Sequence, residues 1–198
     1  MDINCGEILP DPVPDHPLLN GRKEIGRGEN TIVLDGEVVD GQARVLKVIS
    51  SPTDYDFLTA PDRPTGLHFP VVHADHGKVG RSSRGFPFHI VEVEKLYPLP
   101  STGKANEIGA SSDLASRIST SYCEACLEWR HMSQKMGRMA LHHLVVAPMD
   151  WPESILQSLK ALEVFADEYE ALPDLIKADN LMLRKDGTLV FSDPFFMG

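Results

Sequence analysis

Four side chains near the C-terminal end of the sequence carry chemistry in a fixed order. Asp174, Lys177 and Asn180 fall within seven residues, and Asp193 follows thirteen residues after Asn180. A carboxylate can take a proton from a hydroxyl, and a lysine can neutralise phosphoryl oxygens. An amide and a carboxylate brought from neighbouring loops are hard oxygen donors suited to Mg²⁺. These are the groups that phosphoryl transfer needs, because that reaction is catalysed mainly by positioning and by charge stabilisation.

A second block lies near the N-terminus. Ile25-Gly26-Arg27-Gly28-Glu29-Asn30-Thr31-Ile32-Val33 has the spacing of a strand-turn-strand loop in which missing side chains let backbone N–H groups approach an anion. Nineteen residues after Gly28, Ala43-Arg44-Val45-Leu46-Lys47-Val48-Ile49 sets one lysine in an apolar, β-branched run. A buried ammonium needs an anionic partner, so Lys47 either serves a negatively charged ligand or sits on an edge strand and reaches solvent.

Taken together and in this order, the motifs resemble a minimal protein kinase-like domain of the kind found in the early Ser/Thr kinases of podophages. Lys177 stands three before Asn180, as in the D-x-K-x-x-N catalytic loop, an apolar Met-containing strand (Leu181-Met182-Leu183) follows, and Asp193-Pro194 stands in place of the commoner D-F-G. The resemblance implies a bilobal α+β fold. Residues 1–20 would form an extended or mobile arm, 21–95 an antiparallel-sheet small lobe, and 96–198 a truncated, mostly helical large lobe.

The implied activity is transfer of phosphate from ATP to Ser/Thr hydroxyls of host proteins, with ATP and Mg²⁺ as cofactors. By the same likeness the Gly26 to Gly28 loop covers the phosphates and Lys47 orients them. Asn180 and Asp193 hold Mg²⁺, Asp174 accepts the hydroxyl proton, and Lys177 neutralises the transferring group. The run from Val91 to Leu99 would be the hinge, with the backbone of Glu94 to Leu96 hydrogen-bonding the adenine edge and Val93 behind the ring.

The sequence departs from that pattern in three places. The catalytic Asp is expected at position 175, where Leu175 stands, so Asp174 enters the site through a one-residue bulge or the site is inactive. Asp179 is the other carboxylate in the loop. Between Ser50 and Pro61 there is no Glu to pair with Lys47, and Asp54 and Asp56 are the substitutes, on a helix of about two turns bounded by prolines. Leu172 and Pro173 stand where regulated kinases carry an Arg. A pseudokinase that binds and inhibits a host protein is therefore the second reading. An aminoglycoside-type small-molecule kinase, which uses a similar Asp, Asn and Asp set, is a third, and an α+β domain with chance matches is a fourth.

Composition sets outer limits. A chain of 198 residues with 42% hydrophobic residues can bury about 70% of its unfolded surface in one core. A formal charge of −10 argues against nucleic-acid backbones and anionic membranes as partners, and for a protein partner or substrate with a basic surface. With no long apolar run and no leader pattern, the expected location is the cytoplasm, that of the host cell if the chain is phage-encoded.

Three cysteines point to thiols rather than a disulfide frame. Cys123 and Cys126, near His131, His142 and His143, invite a zinc reading, but ligands strung along one helix do not converge on one ion.

The elements that must carry these groups are legible as patterns. Phe69 to Ala74 and Phe86 to Val93 read as a hairpin around a turn from His76 to Gly85. One long helix is expected from about Asp113 to Ala140, with Leu114, Ile118, Tyr122, Ala125 and Trp129 on one face. A second is expected from about Pro152 to Ala171, with Ile155, Leu159, Leu162 and Phe165 or Ala166 buried and Pro173 ending it.

Overall fold

The computed structural model describes residues 11–100, 109–177 and 180–196. They form an α+β structure in which an antiparallel sheet is backed on one face by helices. The sheet has five strands: β1 (Glu24–Arg27), β2 (Thr31–Val39), β3 (Gln42–Ile49), β4 (Val72–Arg81) and β5 (Pro87–Glu94), in the order β1-β2-β3-β5-β4. Strand β3 is therefore central, and Lys47 lies directly between Val33 of β2 and Val91 of β5. The edge-strand alternative for Lys47 does not hold.

Period-two alternation decides which side each residue takes. Val45, Ile49, Val91 and Val93 pack toward the helices, and Lys47 shares their parity. Leu34, Leu46, Val48, Phe88 and Ile90 face the other way and form a second cluster. That outer cluster is closed by the N-terminal segment: Leu19 is buried in it and Val13 packs on it. Asp11 holds the segment at its start, since its carboxylate accepts from the Ser83 N–H at 2.6 Å and its carbonyl from Arg27 at 2.6 Å. Of the expected arm, residues 1–10 lie outside the described region, while residues 11–20 are fastened to the sheet. The hairpin turn is shorter than the sequence pattern indicates, because β4 runs on through His76 to Arg81 and the turn is confined to residues 82–86.

Between β3 and β4 lies α1 (Pro52–Thr59), which has the expected length of two turns. Ser51 caps it by accepting from the Asp54 N–H at 3.2 Å, Pro52 occupies the first turn, and Pro61 stands just beyond its end. Asp54, Phe57 and Leu58 form its buried face. Phe57 meets Phe69, Phe165 and Phe195 edge to face, with centroids 5.5–6.3 Å apart, and so ties α1 to the rest of the core.

After a short β6 (Tyr97–Pro98) come α2 (Gly109–Glu128), α3 (Met136–Val146) and α4 (Glu153–Glu168). The single helix expected from 113 to 140 is two helices joined by a 3-10 segment, Arg130–Lys135, with Ser133 at φ 53°. The apolar stripe explains the break. It ends at Trp129, and folding the chain back there lets Ala140, Leu141 and Leu144 bury in the same core as Ile118, Tyr122 and Ala125. Helix α4 buries Ile155, Leu159, Leu162, Phe165 and Ala166, the stripe read from its sequence.

Four short strands complete the chain: β7 (Leu172–Pro173), β8 (Leu181–Leu183), β9 (Leu189–Phe191) and β10 (Phe195–Phe196). β6, β8 and β9 form one sheet and β7 pairs with β10. No described helix is long and apolar enough to cross a membrane.

Because Phe57 joins α1, α4 and β10, Phe57→Ala should lower unfolding free energy by about 3–5 kcal/mol in urea titrations followed by circular dichroism. A loss under 1 kcal/mol would mean that α1 is not integral to the core.

Candidate functional site

The pairing of β7 with β10 brings the two ends of the candidate site together. Asp174 directly follows β7, Asp193 and Pro194 directly precede β10, and the Asp174 N–H donates to the Pro194 carbonyl at 2.8 Å. Between Asp174 and Lys177 the chain makes a tight excursion. Leu175 is fully buried in the core, Ile176 is exposed, and the Ile176 N–H donates back to Asp174 Oδ1 at 3.2 Å. The residue that is surplus to the expected spacing thus serves as an apolar anchor, and Asp174 Oδ2 lies 3.3 Å from Lys177 Nζ.

Asn180 is locked into the same loop. Its backbone N–H donates to the Lys177 carbonyl at 3.0 Å, and its side-chain nitrogen donates to the Asp174 carbonyl at 2.6 Å. With the nitrogen so used, Oδ1 is the end of the amide that can face a cation. The Ser192 N–H donates to the Asn180 carbonyl at 2.9 Å, which fixes this loop to the segment carrying Asp193. Asp179 lies outside the described residues.

From the sheet side, Lys47 donates to the Ser192 carbonyl at 3.2 Å, next to Asp193. Burial raises the Asp193 carboxyl above the usual carboxylate range; Lys47 and then Lys177 pull it back down, and Asp174 adds to the rise. Asp54, on α1, is 8% exposed and one of its carboxylate oxygens, Oδ1, has no hydrogen-bond partner among the described residues. Burial first and the charge of Asp193 second push its carboxyl up to about 7, against the opposing pull of Ser51 and Lys47. Of the two substitutes for the missing Glu, Asp54 is the one turned toward this cluster; Asp56 is half-buried, with His89 as the charge acting on it.

Beside the cluster lies a cleft of about 350 Å³, walled by Ile25, Gly26, Val33, Val45, Val93 and Met182, with Lys47 and Ser192 at its inner end. Its size and its apolar lining with a few polar groups are those of a small-ligand site. The glycine-rich turn forms its lid. The Gly28 N–H donates to the Thr31 carbonyl at 2.8 Å, and the Asn30 carbonyl accepts from the Ser50 N–H at 2.8 Å. Arg84 reaches from the β4–β5 turn to Glu29 and Asn30 at the tip.

The outer wall is residues 93–98, but only part of the expected hinge is open to a ligand. The Glu94 N–H donates to the Val71 carbonyl and the Lys95 N–H to the Ala43 carbonyl, both at 2.9 Å. Among the described residues this leaves the Leu96 N–H and the carbonyls of the segment to meet a base edge.

Several residues that position the site carry no signal in the sequence. Arg184 grips both oxygens of Glu94, at 2.7 and 2.8 Å, and donates to the carbonyls of Leu67 and Phe69, so it clamps the outer wall of the cleft. Tyr122 donates to the Pro173 carbonyl at 2.6 Å, one residue before Asp174. At Gly137 a Cβ would stand 2.8 Å from the Tyr122 hydroxyl and 2.9 Å from the Pro173 carbonyl, so only glycine lets α3 come so close. A lone charge and a lone glycine in unremarkable contexts do not announce such contacts.

Cys123 and Cys126 lie on α2, Cys126 buried in the core, and His142 pairs with Glu163 at 2.6 Å. Among the described residues no three His, Cys, Asp or Glu side chains gather as a metal site. Asn180 and Asp193, with Asp174 and Asp54 nearby in charge, are the oxygen donors on offer.

The sequence matches no protein-family model, and no curated protein is similar enough to count as a relative.

The raised carboxyl of Asp54 has a definite sign. Its folded value of about 7 lies above its ordinary 3.8, so the folded state holds this proton more tightly. Its contribution to stability is full below pH 4 and is lost as pH rises through 7. Asp54→Asn should therefore stabilise the protein at pH 8 in chelator-treated buffer, by an amount on the order of a few kcal/mol, and should give little change at pH 4. Equal effects at both pH values, measured by urea unfolding, would contradict the burial argument.

Proposed function

We propose that this protein is a minimal protein kinase-like phosphotransferase. In this reading the five-stranded sheet with α1 is the small lobe, the helices with β6 to β10 are the large lobe, and ATP occupies the cleft between Gly26, Val93 and Met182. The observation that carries it is the grouping of Asp174, Lys177, Asn180 and Asp193 around the segment whose Ser192 carbonyl accepts from Lys47, where Lys47 and Ser192 line that cleft.

The donor set fits the implied metal. Asn180 Oδ1 and the Asp193 carboxylate are hard oxygens suited to Mg²⁺, and the Asp193 carboxyl stands in an environment short of positive charge. When bound, the cation supplies neutralisation of phosphate oxygens. The chain's own groups do the rest. Lys47 holds phosphate oxygens at the inner end of the cleft, and the glycine-rich turn lies over them, Gly26 presenting no side chain to the cleft. Asp174 Oδ2 takes the proton of the acceptor hydroxyl as its oxygen bonds to the γ-phosphorus and the bond from that phosphorus to the β-phosphate bridging oxygen breaks, releasing ADP. Lys177, beside Asp174, offsets charge on the moving phosphoryl group. The acceptors in this reading are Ser/Thr hydroxyls of proteins.

One observation favours a second reading. Lys47 donates to a carbonyl, and Asp54 is close enough to act on its charge but makes no ion pair with it within 4.0 Å. A nucleotide-binding pseudokinase that acts by occupying a partner would tolerate that arrangement.

Incubation of the protein with Mg²⁺ and γ-labelled ATP in cell lysate separates them. The parent chain should label protein bands, and Lys47→Ala, Asp193→Ala and Asp174→Asn should each lose at least about a hundredfold in rate. Labelling that survives in Asp174→Asn would remove Asp174 as the base. ATP binding without any transfer would favour the pseudokinase.

A further inference from the structure

A second cavity, of about 420 Å³, includes a member of the reacting cluster in its wall. It shares no residue with the nucleotide cleft. Asp174 forms part of its wall, together with Tyr122, Met136, Ile176 and Phe196, and Arg130 stands at its rim.

A short stretch of backbone links the linings of the two cavities. Ser192 lines the first, Asp174 the second, and the Asp174 N–H is bonded to the Pro194 carbonyl at 2.8 Å. A group seated in the second cavity is thus within reach of the Asp174 carboxylate while drawing on none of the residues that line the first, which leaves room for an acceptor beside a bound nucleotide.

Resting on the phosphotransferase reading, we infer that this cavity is the acceptor subsite and that it selects a peptide whose Ser or Thr is flanked by one bulky apolar residue and one acidic residue. The apolar residue matches the walls, which are mostly carbon. Its size matches the volume, since a cavity of some hundreds of Å³ takes one large side chain rather than a folded surface. The acidic residue matches Arg130, an exposed cation for which no partner exists among the described residues. The sign is local and opposes the net charge of −10, which by itself favours basic partners. Ser133, at φ 53° and ψ −116°, lines the same cavity and sets the turn that carries Arg130 to the rim.

The test uses the full chain, Mg²⁺, labelled ATP and synthetic peptides of one backbone in which the Ser is flanked by Leu and Glu, by Leu and Lys, or by Ala and Glu. The Leu and Glu peptide should be used at least tenfold more efficiently than either of the others. Arg130→Glu, a surface change, should transfer the preference to the Leu and Lys peptide. Ile176→Asp should erase the advantage of Leu over Ala through KM. Fluorescent ATP-analogue binding on the same samples controls for folding.

Equal use of all three peptides, or variants that keep the parent's preference, would overturn the subsite while leaving phosphotransfer intact. Transfer to small apolar alcohols but to no peptide would overturn the peptide assignment. Absence of transfer to every acceptor would remove the phosphotransferase reading, and this inference with it.

Discussion

Three carboxylates, those of Asp54, Asp174 and Asp193, share one corner of the molecule with two ammonium groups, Lys47 and Lys177. The arrangement of the site follows from how that imbalance is distributed. Among the described residues Asp174 takes the close ion pair, with Lys177, and its side chain stays 13% exposed. Asp193 and Asp54 have no cation within ion-pair distance among the described residues, and burial first of all raises their carboxyls. Burying charge without a matching partner works against folding. A corner that keeps such groups is held in place by everything around it, and a cation is what would relieve it.

The holding is done by backbone contacts more than by side chains. The Asp174 amide is fixed to Pro194, the Pro173 carbonyl to Tyr122, the Asn180 carbonyl to Ser192, and the Ser192 carbonyl to Lys47. Apart from the Lys47 ammonium and the Tyr122 hydroxyl, these links use backbone groups of Asp174, Asn180 and their neighbours, so the carboxylates are aimed without being consumed by the links themselves. Gly137 belongs to the same set, because a methyl group there would press on both the Tyr122 hydroxyl and the Pro173 carbonyl and so shift the strand that ends at Asp174. On the other side of the cleft, Arg184 plays the matching part by fixing Glu94 and the ends of the wall.

What the sequence discloses and what it conceals divide along the same line. Groups whose chemistry is intrinsic, Lys47 in an apolar run and the Asp174, Lys177 and Asn180 series, are visible because their types conflict with their surroundings or repeat a spacing. The strands and α4 are visible because burial imposes a period on them, and the short α1 because prolines bound it. The break after Trp129 is hidden, since a helical stripe says where a face ends but not that the chain will turn back on itself. The spent N–H groups of Glu94 and Lys95 are hidden as well, because backbone pairing leaves no mark on side-chain identity. The role of Leu175 falls between: its apolar type fits a core anchor, but only the fold shows that burying it turns Asp174 into the site.

Lys47 connects these strands of argument. It occupies the central strand, where the flanking Val33 and Val91 leave it one direction to extend, and in that direction it meets the Ser192 carbonyl and the fields of Asp54 and Asp193. One ammonium serving two carboxylates satisfies neither. Positive charge placed beside Asp193 would offset the Asp193 charge that helps to raise the carboxyl of Asp54. Through Phe57, the helix that carries Asp54 also reaches α4 and β10. With no Glu on α1, Asp54 is the carboxylate that shares the field of Lys47 with Asp193.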